Sequence, residues 1–206
     1  MKPTKRQRRE QRARDLALSG FRKDKDRQHY TAHHEAAHAV FNELFGAEVK
    51  EVLVQPHFDK KDGRLTLGFC SADVVVEETK EYYVRRVLVS LAGPSADQKF
   101  WQEELHAGKI RNQPPMSGSD QTQIYNYFEQ MGLKTREEKR QAFKEYVKKT
   151  REILEIPEVW ITVEAVASWV LDGGKINGDK VRAVMRSGSI YRDSVQQAIN
   201  QIVEAP

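Results

Sequence analysis

The residues of this sequence best suited to chemistry are His34, Glu35 and His38, in the run His34-Glu35-Ala36-Ala37-His38. Two histidines four positions apart share one face of a helix, with Cβ atoms about 5–6 Å apart. Their ring nitrogens can converge on one metal ion at about 2.0–2.1 Å each. Glu35 follows the first histidine, so it points to the flank of such an ion. A carboxylate there is placed to handle the proton of a metal-bound water.

His-Glu-x-x-His is the zinc-peptidase signature, and it works only on a helix. The surrounding residues supply one. Between Tyr30 and Phe45, Ala37, Val40, Phe41 and Leu44 make a helical apolar stripe. Thr31 is the expected N-cap and Gly46 the expected stop. A catalytic zinc takes three protein ligands and keeps one position open. The third is not on this helix, because Phe41 to Gly46 offers only Glu43. Asp120, Asp97, His57, His106 and the pair Glu77/Glu78 are the candidates. His57 near a turn and His106 in a loop read better as surface histidines. Asp120, at the first turn of a helix, has an ordinary alternative role as an N-terminal cap.

A chain of 206 residues makes one domain, with or without appendages. A hydrophobic share of 39% is enough for a core. No apolar run approaches the 18 or more residues of a membrane span, and the basic start is not followed by a secretory h-region. The single Cys70 rules out an internal disulfide and suits a reducing compartment, so a cytoplasmic location is expected. The net charge of +4 hides an asymmetry: residues 1–27 hold eleven Lys/Arg against four acidic residues, a net of +7, which leaves −3 for the rest. Residues 1–28 therefore read as a basic, disordered arm, with contact to nucleic acid or an acidic surface as the sharper alternative. Residues 29–206 form the domain.

The elements that must position the motif follow in order. Val49 to Val54, stopped by Pro56, reads as a strand. After a turn at His57 to Gly63, Arg64 to Cys70 alternates as a second strand, giving a small β-hairpin beside the metal helix. Glu77 to Gln102 reads as a long helix that Pro94 should kink or restart. A Gly/Pro/Ser loop over 107–119 leads into a helix from Asp120 to Met131, stopped by Gly132. Helices over 135–155, 159–171, 178–185 and 189–203 make a C-terminal helical bundle. The fold class is mainly α.

Four segments in order resemble the proteolytic domain of the FtsH-type zinc metalloproteases. His34-Glu-Ala-Ala-His-Ala-Val40 is similar to that family's His-Glu-Ala-Gly-His-Ala-Val block. Val52-Leu-Val-Gln-Pro56 with Leu67-Gly-Phe69 resembles its hairpin, and Leu91-Ala-Gly-Pro-Ser-Ala-Asp97 its Leu-Gly-Gly-Arg-Ala-Ala-Glu segment. Ser117-Gly-Ser-Asp120 through Met131-Gly132 resembles its Gly-Ala-x-x-Asp-Leu helix. The likeness covers about residues 29–186. It implies a zincin-like helical metallopeptidase domain, Zn²⁺ as the cofactor, and Asp120 as the third ligand beside His34 and His38. Ala37 stands for the family's usual Gly, Pro94 for its Arg, and His33 where an aromatic residue is common. The membrane segment and ATPase module of that family have no counterpart, and no Gly-x-x-x-x-Gly-Lys-Ser/Thr loop exists here.

The expected function is thus a stand-alone zinc metalloendopeptidase, ATP-independent by itself, with Glu35 as catalytic base and unfolded or flexible polypeptides as substrates. The alternative is a catalytically silent module of the same fold that docks on a partner such as a separate ATPase. A third reading, nucleic-acid association through residues 1–27, has no aromatic or motif support.

Overall fold

The computed structural model describes residues 11–12, 15, 19–21, 23–58, 65–109 and 118–205. The chain is mainly helical, with a small antiparallel sheet. Helix α1 spans Lys25–Leu44 and is its hub, lying against the second helix, the fifth and the sheet. It starts earlier than the apolar stripe suggests. Asp24 caps it, its carboxylate accepting from the Arg27 N–H at 3.0 Å. Thr31 lies inside the helix, and its hydroxyl donates back to Arg27 O at 2.8 Å. The apolar stripe marks only the buried turns; a polar first turn needs just a cap. Gly46 follows with φ +82°, a left-handed turn that favours glycine.

Residues 25–28 of the basic arm are therefore the first turn of α1. Before the cap Asp24, the described residues of the arm (11–12, 15, 19–21 and 23) are helical, and Phe21 is only 5% exposed. The rest of the arm lies outside the described residues.

Strand β1 (Glu48–Leu53) is central. Antiparallel to it runs β4 (Phe69–Asp73), with Leu53 opposite Phe69 and Glu48 opposite Asp73. The second strand expected over Arg64 to Cys70 is thus displaced: the partner of β1 begins only at Phe69, and Leu65–Thr66 pair elsewhere. The connection from β1 to β4 carries a ribbon of its own, β2 (His57–Phe58) with β3 (Leu65–Thr66), while 59–64 lie outside the described residues. The other edge of β1 takes β5 (Lys175–Asn177), which makes the hairpin a three-stranded sheet. A three-residue strand between two helices is too short for periodicity to reveal. Val49 and Val52 are buried on this sheet.

Helix α2 (Lys80–His106) runs unbroken through Pro94. A proline inside a helix costs about 3 kcal/mol or more, because the bond to the carbonyl four residues back is lost. Here Leu91, Ala92, Ser95 and Ala96 around it are all buried, so packing holds the helix together. Helix α3 (Gly118–Gln130) ends before Gly132, which has φ +83°. Helix α4 (Arg136–Leu154) opens with a capping box: Thr135 accepts from Glu138 N–H, and Glu138 accepts from Thr135 N–H. Then come α5 (Pro157–Gly173), α6 (Gly178–Ser187) and α7 (Asp193–Glu204).

Small residues on α1 let its neighbours approach closely: Ala32, Ala36, Ala37 and Ala39 are fully buried beside Val40 and Phe41. Against them lie Val87, Leu88 and Leu91 of α2, and Val159, Val163, Val166 and Val170 of α5. Helices α1 and α2 run antiparallel, since His34 meets Asp97, His38 meets Val89 and Asn42 meets Arg86. Among the described residues no helix is long and apolar enough to cross a membrane.

Candidate metal centre

His34 and His38 emerge from the middle of α1, and Asp120 from the first turn of α3. The two Nε2 atoms lie 3.1 Å apart. Asp120 Oδ2 is 3.2 Å from His34 Nε2, and its Oδ1 is 3.7 Å from His38 Nε2. These three residues are able to hold a metal ion. Tetrahedral ligands at about 2.0–2.1 Å from an ion stand roughly 3.3 Å from one another, close to these separations.

Hydrogen bonds on the far side of each ring decide which nitrogen faces the site. His34 Nδ1 donates to Asp97 Oδ2 at 2.8 Å, and His38 Nδ1 donates to Val89 O at 2.8 Å. In the neutral tautomers, both Nε2 lone pairs then point inward, the usual arrangement for metal-ligating histidines. Asp120 Oδ2 is buried and has no hydrogen-bond partner. Two lone pairs and a carboxylate facing one another need a cation between them. That is the donor set a divalent metal fills, and the residues fit zinc.

The electrostatics agree. Burial lowers the His34 pKa, but the Asp97 carboxylate and Asp120 outweigh it and hold the imidazole well above its ordinary value. Burial also works against the Asp120 carboxylate, yet the two facing imidazoles keep it well below the usual range. A metal ion and a proton would compete for the His34 ring nitrogen that faces the site. Glu35 is 9% exposed. Burial raises its pKa, partly offset by His34 and His38.

Two glycines keep the site open. A Cβ on Gly93 would lie 2.5 Å from His38 Nε2 and 2.6 Å from His34 Nε2, within the space of the metal. A Cβ on Gly68, where the chain enters β4, would lie 2.9 Å from Glu35 Cγ and 2.7 Å from Leu53 O. Gly68 therefore brings the sheet edge against the helix at Glu35.

The third-ligand candidates separate cleanly. Asp120 joins the two histidines. Asp97 stands behind His34 and orients it instead. Glu77, Glu78 and His106 are exposed, and His57 is a residue of β2 whose side chain lies outside the described part of the structure. His33 faces away, 6% exposed, stacked 4.0 Å from Phe100, with Nδ1 donating to His29 O. Burial lowers its pKa. Sequence reasoning missed Val89 and Gly93. A backbone carbonyl leaves no mark in a sequence. A glycine within a helical pattern costs about 1 kcal/mol against alanine, and that cost was the available signal that something must approach it. The chain matches no protein-family model and no curated protein.

Proposed function

We propose that the protein is a zinc metalloendopeptidase that hydrolyses unfolded or flexible polypeptides. The convergence of His34 and His38, which flank Glu35 on α1, with Asp120 of α3 carries this reading. The resemblance to FtsH-type proteolytic domains supports the same ligand set. His34, His38 and Asp120 would hold the zinc ion, which would supply Lewis-acid polarisation of the scissile carbonyl and a water of lowered pKa. Glu35 accepts the proton of the attacking water on a carboxylate oxygen and passes it to the leaving amine nitrogen as the amide C–N bond breaks. Asp97 and the Val89 carbonyl keep both ligand rings in place. Strand β4 is an edge of the sheet and, through Gly68, lies against Glu35. An extended polypeptide adding to that edge is carried past the site by main-chain hydrogen bonds.

The test is elemental analysis for zinc together with digestion of unfolded casein. Wild type binds zinc and cleaves. Glu35→Gln keeps the zinc and loses the cleavage; equal cleavage by that variant rules out the mechanism. Zinc binding by the wild type without any cleavage selects the silent docking module instead.

A further inference from the structure

We infer that Arg86 forms a carboxylate-binding subsite beside the metal centre, so that the peptidase favours substrates with a carboxylate about three residues from the scissile bond. This rests on the peptidase reading above.

Arg86 lies on the face of α2 that meets α1. Tyr82, Arg86, Val89 and Gly93 recur at helical spacing along that face. Gly93 lies at the metal centre, and the Val89 carbonyl holds His38. Arg86 is seven residues before Gly93, about 10.5 Å along the helix at 1.5 Å per residue. An extended chain advances about 3.3 Å per residue, so that span corresponds to about three substrate residues.

The side chain is tied to the site's own scaffold. Arg86 Nη1 donates to Asn42 Oδ1 at 2.8 Å. Asn42 is 5% exposed and donates to His38 O at 2.8 Å, one turn beyond the metal ligand. Its amide also lies 4.0 Å from Cys70 Sγ on the edge strand β4. The guanidinium therefore sits at the meeting of α1, α2 and β4, the walls along which an extended substrate runs.

Its charge is unmatched. Five other described cations are at least partly covered: Lys99 has Glu103 and Glu155, Lys139 has Glu129, Lys149 has Glu145, Arg182 has Glu43 and Asp179, and Lys180 lies over the Trp169 ring. Among the described residues, half-buried Arg86 has only the neutral Asn42 oxygen. A guanidinium has five N–H donors in a planar fork, and a carboxylate meets two of them at once. A partly covered charge with donors to spare gains most from a ligand that brings both the counter-charge and the acceptors.

The test uses zinc-loaded full chain and quenched fluorogenic peptides. A single Glu or Gln is stepped through three positions on either side of the scissile bond. A second pair ends in a free carboxylate or an amide, which separates a side-chain source from a terminal one. At one register, kcat/KM for the carboxylate peptide should exceed its neutral twin by about tenfold, the order of a charge-assisted hydrogen bond near the surface. In Arg86→Gln that ratio should fall to about one, in Arg86→Lys it should survive in part, and in Arg86→Glu it should invert toward a Lys-bearing peptide. Equal rates at every position in the wild type overturn the proposal, as does a ratio that survives in Arg86→Gln. If the variants do not fold, loss of the wild-type preference with rising salt supports the subsite, and a salt-independent preference opposes it. If the zinc-loaded wild type cuts nothing, the peptidase reading fails by itself. Fluorescence anisotropy with the same peptide pairs then decides: tighter binding of the carboxylate peptide keeps the subsite, and equal binding removes it.

Discussion

Within the bundle of α4 to α7, Lys149 is only 7% exposed, yet its ammonium reaches Val203 O at 3.2 Å, Ala205 O at 2.6 Å and Glu145 at 3.0 Å. Thr150 and Thr162 are buried there too, and each donates to the carbonyl four residues back. The seam of α1, α2 and α3 is built otherwise. Asp120 Oδ2 and Asp97 Oδ1 are buried there without a hydrogen-bond partner, and two ring nitrogens face each other at 3.1 Å. Leaving a buried polar group unpaired costs about 1–3 kcal/mol. Among the described residues Trp101 Nε1, farther along α2, is also unpartnered, but only Asp120 Oδ2 faces the two ring nitrogens, so the capacity to hold a cation lies at that point of the seam. The group able to hold a metal ion lies in the seam and not in the bundle.

The sharpest way to break this contrast is to change chemistry without changing the seam. Glu35→Gln should lower casein cleavage by about 10²–10⁴-fold, the span of general acid–base catalysis, with zinc content unchanged. Gly93→Ala comes next. Its methyl would lie within 2.6 Å of both ligand nitrogens. Zinc affinity should fall by more than the roughly 10–100-fold typical of losing an outer hydrogen-bond partner. Asp97→Ala is that outer loss, and competition with a chromophoric chelator should place it within the 10–100-fold range.

Changes in the bundle should leave zinc content alone and act on stability. Lys149→Met removes a charged donor from two carbonyls near the chain end and should cost about 1–2 kcal/mol in urea unfolding. Thr135→Ala removes one half of the α4 capping box and should cost about 1 kcal/mol, read as a drop of about 2–4 °C in Tm. A bundle substitution that strips the zinc, or a seam substitution that changes only stability, would erase the distinction between the two regions.

What could be read without the structure was local. The spacing of His34, Glu35 and His38 needs only a helix, and the apolar stripe through Val40 and Phe41 supplies it, so half of the centre was legible in one run of residues. The Asp120–Met131 helix, the opening of α5 at Pro157 and the start of α6 at Asn177-Gly178 were legible for the same reason, since caps, prolines and periodicity act within a turn or two. The local rules failed where packing overrode them. Pro94 marks a break by propensity, but burial on both sides carries α2 through it. Thr31 is a good cap by type, but Asp24 lies about two turns earlier and takes that role.

The other half of the centre belongs to tertiary structure. Asp97 orients His34 across 63 residues, and the Val89 carbonyl fixes His38 across 51. Asp120 closes the ligand set from a third helix. Asp97 and Asp120 were indistinguishable as ligands by residue type, and resemblance alone had favoured Asp120. The antiparallel docking of α1 on α2 puts Asp97 behind the His34 ring, and the packing of α3 brings Asp120 in front of it. The pairing of β5 with β1 and the placing of Arg86 against Asn42 arise in the same way. The sequence by itself determined which side chains can bind a metal and move a proton. Which carboxylate completes the centre, and which way each ring faces, was decided by contacts between segments too far apart in the chain for spacing to encode.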